Sequence, residues 1–399
     1  MLKSPRAIAI ILVVVAVGLI SVAGGALGDA FGLGFFSSPI PLISVPAETV
    51  TSVAGFAIKN SMIGLWAAGI VVLALFLLGT RKMKLVPGRL QALIESIVEF
   101  FNTLVEGVAG DKGRRFLPLV LTIFITIVIA NWLNILPGVG TVGRVETVEE
   151  FLEHHLSKDE KAKIKKYEKE GDLAAARAAK EKALIHAAEE EAEFKVTVFD
   201  GSGGFRFIPF GGRGEGTKVP LEGLFEDPHH PTLEEIEHPK VVHPPAKHPE
   251  LKGKEVGILV PVFRGAATDL NTTLAIAIVA MVAVQYWGFR SLGVGGYGSK
   301  FVNLKQGPIF FAVGLLEIVS EISRVISFTF RLFGNIFAGE ILLIAMGFLF
   351  PLIGIIPFLG LELFVGLVQA FIFAMLTLVF ATSATVGHGE EGHGAEGHH

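Results

Sequence analysis

Apolar positions along this chain fall in long unbroken runs rather than in short alternating stretches. Residues 7–27 form the first run, behind Lys3 and Arg6, and residues 63–78 the second, stopped by Arg81, Lys82 and Lys84. Residues 116–136 form the third, and residues 274–287 the centre of the fourth. Residues 308–382 hold enough apolar chain for two more, with Pro351, Gly354 and Pro357 marking a turn between them. About 20 apolar residues cross the hydrocarbon core as a helix, so five or six crossings are available. Residues 91–108 read differently. Leu93, Ile97, Phe100, Phe101, Leu104 and Val108 share a helical stripe, with Glu95, Glu99, Asn102 and Glu106 elsewhere, which predicts an amphipathic helix at the interface or against neighbouring helices.

The polar positions concentrate in one place. Of the 34 basic and 38 acidic residues, 42 lie between Arg144 and Glu255, and the twelve histidines lie there or in the last dozen residues. Residues 148–194, rich in alanine and mixed charge, suit a solvated helix or helical hairpin, and the glycine-rich stretch 201–216 reads as loop. Residues 228–249 repeat His-Pro, which forbids regular helix and leaves no familiar metal-ligand spacing, so a polar linker is expected. The predicted fold class is therefore an all-α polytopic membrane protein. It has five core membrane helices, an N-terminal helix or signal peptide, an interfacial amphipathic helix and an inserted extracytoplasmic polar domain. The expected divisions are residues 1–28 as N-terminal helix or signal peptide and 29–139 as the first membrane region. Residues 140–257 are the charged, His/Pro-rich insert, 258–385 the ion-translocating helices and 386–399 a disordered tail.

Composition narrows the function. Charged residues make up 18% of the 399, against about a quarter in soluble domains, and mean hydropathy is +0.59, which excludes a soluble enzyme. The absence of cysteine excludes a disulfide scaffold, a thiol nucleophile and thiolate metal sites. A net charge of −4 argues against nucleic acid as a partner. The first run satisfies both a retained helix and a cleaved signal peptide. Basic short loops at Lys3/Arg6, 81–89 with Arg114 and Arg115, and 290–305 alternate consistently with one side being cytoplasmic, which puts the insert outside and the C-terminus inside.

Ionisable residues inside membrane helices are expensive and are functional hypotheses by default. A helix of about 40 residues from Pro308 runs roughly 60 Å and carries Arg331 near its middle, with no Asp or Glu within one turn. At 100° per residue Glu317, Arg324, Arg331 and Asn335 fall within about 80° of one another, and Glu340 falls opposite Arg331. On the next helix Glu362 and Gln369 stand two turns apart on one face. Counted from the proline turn, Glu340 and Glu362 lie at similar, shallower depth, and Arg331 and Gln369 lie deeper. Two acids near one side, a fixed cation near the middle and Glu317 toward the other suit ion movement in two disconnected segments better than a continuous pore.

These residues also carry a family resemblance. The stretch Arg331-Leu-Phe-Gly-Asn335-Ile-Phe-Ala-Gly-Glu340, the Ile-Ser-Arg-Val-Ile-Ser before it, and Ala267-Thr-Asp269-Leu-Asn271-Thr-Thr-Leu closely resemble subunit a of the rotary F-type ATP synthase. Asn131-Trp-Leu-Asn-Ile-Leu-Pro137-Gly and Leu367-Val-Gln369-Ala-Phe-Ile-Phe fit the same family in the same order. The resemblance covers roughly residues 63–137 and 260–385. It leaves out the first run, the insert and the tail.

The resemblance implies a non-catalytic stator subunit of the ATP synthase membrane sector, in a multi-pass bacterial inner-membrane setting. Its partners would be the rotating c-ring, the peripheral-stalk subunit b and the other synthase subunits. It places the family's essential arginine on Arg331 and its access-channel residues on Glu317, Asn335, Glu340, Glu362 and Gln369. Asp269 and Asn271 match polar positions near the outer entrance. Protons, ahead of sodium, are the implied ion; no cofactor or metal is implied. Some relatives pair a histidine with a carboxylate where this chain has Glu340 and Glu362, so a two-carboxylate entrance is implied. Val325 stands where many relatives have proline, which predicts a straighter helix. No phosphate-binding loop is present, so nucleotide chemistry belongs to partners. The alternative from another class is a self-contained ion-coupled transporter with an extracytoplasmic ligand-binding domain, which would need internal repeats that the chain does not show.

Overall fold

A computed structural model describes residues 5–24, 47–53, 56–136, 139–140, 142–147, 156–190, 195–199, 205–207, 218–220, 255–301, 308–350 and 354–385. Its helices are α1 (Pro5–Gly24), α2 (Asn60–Thr80), α3 (Arg89–Ala109), α4 (Leu117–Asn134), α5 (Lys158–Glu170), α6 (Leu173–Glu190), α7 (Leu270–Phe301), α8 (Pro308–Leu349) and α9 (Ile356–Thr385). Its strands are β1 (Thr49–Val53), β2 (Phe56–Lys59), β3 (Val142–Thr147), β4 (Lys195–Phe199), β5 (Phe205–Phe207), β6 (Lys218–Pro220) and β7 (Glu255–Pro261). Five helices (α2, α4, α7, α8 and α9) are long and apolar enough to cross a membrane. They are the five core runs read from the sequence. The first run is helical over Pro5–Gly24, and residues 25–46 lie outside the described residues.

The chain divides into two compact units. One comprises Met1–Ile43, Gly140–Val262 and Ile344–Ile356; the other comprises Ser44–Val139, Phe263–Leu343 and Pro357–His399.

In the first unit, α5 and α6 form the helical hairpin that alanine and mixed charge predict. Ser157 starts α5 with a full capping box: its hydroxyl accepts from the Glu160 N–H, and the Glu160 carboxylate accepts from the Ser157 N–H at 2.8 Å. Gly171, at φ 75°, stops the helix, and the Asp172 carboxylate then caps α6 by accepting from the Ala175 N–H at 3.0 Å. The expectation of an all-α chain needs correction here. The insert also holds a five-stranded antiparallel sheet in the order β5-β3-β7-β4-β6, and β5 lies inside the stretch expected to be loop. The reason is long-range. β3 and β7 open and close the insert, and Val145 meets Leu259 across more than a hundred residues, a pairing that local periodicity does not report. The His-Pro stretch and the tail lie outside the described residues.

In the second unit, α2, α3, α4, α7, α9 and most of α8 pack as a bundle. One core cluster joins Ile123 and Ile127 of α4, Ala277, Ala280 and Met281 of α7, Phe328, Leu332 and Ile336 of α8, and Ala370 and Phe373 of α9. Small buried residues let backbones approach: Ala277, Ala280, Ala370, Ala374 and Ala381 are fully buried. Asn131 meets α9 at Gly366, whose carbonyl it bonds, and any side chain at 366 would press on it. The α8 helix runs unbroken through Val325, as the missing proline predicts.

The amphipathic helix α3 turns differently from expectation. Ile94, Phe101 and Val105 are buried, with Gln91, but Leu93, Phe100 and Val108 of the expected stripe are exposed. The apolar arc is wider than one interface, so packing takes one edge of it and leaves the other outward.

Candidate functional site: charges along α8

Arg331 occupies the exposed face of α8, while Leu332, with Phe328 and Ile336 one turn to either side, is buried in the bundle core. Helical periodicity alone produces this: burying 328, 332 and 336 turns Ser327, Arg331, Gly334, Asn335 and Ala338 outward. Among the described residues no carboxylate lies within ion-pair distance of the Arg331 guanidinium. Asn335 donates from its side-chain amide to the Arg331 carbonyl at 2.9 Å, which fixes it on the same exposed strip.

Toward the α8–α9 turn the structure brings Glu340 and Glu362 together. Glu362 is buried, and Glu340 stands close enough to act on it electrostatically. Gly339 makes room for this: a methyl group there would collide with the Glu362 carboxylate. One carboxylate oxygen of Glu340 is buried without a hydrogen-bond partner among the described residues. Among the described residues no cation pairs with either acid. One turn beyond Glu362, Asn131 donates to the Gly366 carbonyl at 3.3 Å, while its side-chain oxygen is buried without a partner among the described residues.

From Glu317 to Arg324 the charges of α8 are paired. Glu317 meets Lys300 at 2.6 Å, and Glu321 meets Arg324, whose guanidinium also stacks on Phe380. Glu321 further accepts from Gln285 at 2.9 Å, and Gln285 in turn accepts from the Tyr297 hydroxyl at 2.7 Å. Sequence reading did not single out Lys300, Gln285, Tyr297 or Glu321. The three-residue spacing of Glu321 and Arg324 could have suggested their pair, whereas Gln285 and Lys300 arrive from α7 and give no local signal.

Other expected residues stand apart. Asp269 is buried and accepts from the Ser61 hydroxyl at 2.7 Å and from the Asn271 N–H at 3.1 Å. It caps α7 and ties it to the start of α2. Asn271 is exposed and donates its amide to Asp269 at 3.3 Å. Gln369 is half-buried on α9, beside the buried line Glu362, Gly366, Ala370 and Phe373. No hydrogen bond joins it to Arg331 among the described residues.

The sequence model of the ATP synthase A chain family matches residues 62–150 and 255–382, more than half of the chain. The chain belongs to that family. Arg331, Asn335, Glu340, Glu362 and Gln369 all fall inside the matched stretches, and most of the insert falls outside them. ATP synthase subunit a of Campylobacter jejuni is 40% identical over 131 residues, covering 32% of this chain and 56% of the relative. Subunit a of Desulforamulus reducens is 37% identical over 133 residues, covering 31% of this chain and 48% of the relative. The alignment thus spans about half the length of these relatives. Subunit a of Moorella thermoacetica is 22% identical over 331 residues, covering 83% of this chain and 93% of the relative.

Proposed function

We propose that the chain is the non-catalytic stator subunit of the ATP synthase membrane sector and that it couples proton passage to rotation of a neighbouring c-ring through Arg331. In this reading a proton enters from outside past Glu362 and Glu340 and neutralises a ring carboxylate, which can then face lipid. An ionised ring carboxylate arriving at Arg331 is held by the guanidinium, and the displaced proton leaves past Glu317 on the cytoplasmic side, where the C-terminus also lies. The peripheral-stalk subunit b would hold the chain against rotation. Nucleotide chemistry belongs to other subunits.

The observation that carries the reading is the Arg331 guanidinium on the outward face of α8, with no ion-pair partner among the described residues. A free cation in a membrane helix demands an anion from elsewhere. Small neighbours on that strip, Ser327, Gly334 and Ala338, would let a second helix come close. Arginine suits the task because it stays protonated when desolvated and can grip a carboxylate with two donors, whereas lysine can lose its charge. Each proton crossing gains about 2.3 kcal/mol per 100 mV, so several are needed for each nucleotide made.

The test is passive proton flux through vesicles stripped of the catalytic sector, together with synthesis once that sector is restored. Arg331→Ala is expected to abolish synthesis and to leave or increase the passive flux. A variant sealed to protons that still drives synthesis would overturn the reading.

A further inference from the structure

The end of α7 reverses on itself. Gly293 sits at φ 73° inside the helix, a conformation that favours glycine, and breaks its path. The Tyr297 hydroxyl bonds Gln285, twelve residues earlier, whereas a straight helix would hold those residues roughly 18 Å apart. Tyr297 is buried against Phe289 and Phe301, and its ring fills the space that a side chain at Gly288 would need. On α8, Gly314 leaves room for the Phe301 carbonyl. The reversal carries Lys300 onto Glu317 at 2.6 Å, with only 17% and 26% of the two side chains exposed.

We propose that Lys300, delivered by this folded-back end, is a positioning residue that governs proton exchange through Glu317. The inference rests on the half-channel reading given above. Among the described residues, the charged and titratable groups around Glu317 are Lys300 and Tyr297 from α7 and Glu321 and Arg324 from α8; α9 contributes the uncharged Phe380. Glu321 and Arg324 answer one another, so among the described residues Lys300 alone balances Glu317. With Lys300 in place, the mouth of the path is electrically neutral. Without it, an unbalanced anion faces the water on that side and concentrates cations, protons among them.

The experiment uses the assembled synthase in vesicles and measures synthesis and ATP-driven pumping against the pH on the Lys300 side. In Lys300→Gln both profiles are expected to move about 1 unit toward alkaline pH. At acid pH on that side, synthesis then falls several-fold, because protons leave the path less readily, while ATP-driven uptake is kept. Lys300→Arg restores the wild-type profile, and Glu317→Gln combined with Lys300→Gln removes the shift. A uniform rate loss with unmoved profiles would make the pair a structural staple and overturn the proposal. Should Lys300→Gln fail to assemble, Glu317→Asp, which draws the carboxylate back from Lys300, is expected to show the alkaline shift, and an unmoved profile there also overturns it. Arg331→Ala serves as the separating control. If it leaves coupling intact, the half-channel reading fails; if it uncouples while Lys300→Gln leaves the profile unmoved, only this inference falls.

Discussion

The two ends of α8 treat their charges in opposite ways. From Glu317 to Arg324 every charge has a partner of opposite sign: Lys300 for Glu317 and Arg324 for Glu321. Toward the α8–α9 turn, Glu340 and Glu362 come together, and among the described residues no cation pairs with them and one buried Glu340 oxygen has no hydrogen-bond partner. Arg331 divides the two regimes. It lies about 21 Å along the helix from Glu317 and about 14 Å from Glu340. Paired charges fix side chains and suppress stray fields. Unpaired acids can take up and release protons. Among the described residues, one helix thus carries a segment of paired charges and a segment of acids without a cation, with Arg331 between them.

Breaking the division itself should have the largest effect. Arg331→Ala removes the one charge between the two regimes, and synthesis by the assembled complex is expected to fall to background while passive proton flux persists.

The exchangeable end is tested next. Glu340→Gln or Glu362→Gln alone should slow proton uptake, and the double substitution should slow it far more, because each acid covers part of the other's role. Equal losses in single and double variants would mean that the two act as one coupled unit.

A subtler change at the same end is Gly339→Ala. The added methyl collides with the Glu362 carboxylate and must push that flexible side chain aside. Uptake is expected to slow less than in Glu362→Gln, with assembly retained. Loss of assembly would show instead that the helix backbones, rather than the carboxylate, give way.

Smaller still should be deletion of residues 148–249. That stretch lies largely outside the family match and carries none of the charges on α8 or α9, so pumping by assembled complexes should stay near wild type. Pumping that vanished with assembly intact would make the insert part of the ion path.

The smallest effect lies outside the membrane helices. Arg114 and Asn102 donate to Glu106 and hold its carboxyl below the ordinary value of 4.5. The group's contribution is present above the unfolded value and is lost as pH falls through the lowered folded value. Because the pair is exposed, Arg114→Ala should return the Glu106 titration toward 4.5 with little change in stability, measured by acid titration of the two proteins.

Much of this was legible in the chain before any coordinates. Run length alone placed the five crossing helices, because the bilayer sets a length of apolar chain that a sequence either has or lacks. Spacing alone put Arg331 and Asn335 on one strip and Glu340 on another, because the helical period is a local property.

Contacts between distant segments were decided only by the tertiary structure. The β3–β7 pair joins chain more than a hundred residues apart. Tyr297 and Lys300 reach Gln285 and Glu317 because Gly293 turns α7 back, and a single positive φ among several glycines has no distinct sequence signal. Asp269 caps α7 and also accepts from Ser61, which is 208 residues earlier. Which edge of α3 would be buried depended on its neighbours, since Leu93 and Phe101 are equally apolar on paper. A sequence fixes what each segment can bury and which side chains share a face. Whether a charge on that face ends up paired or free depends on what another segment brings to it, and that is a property of the packed chain.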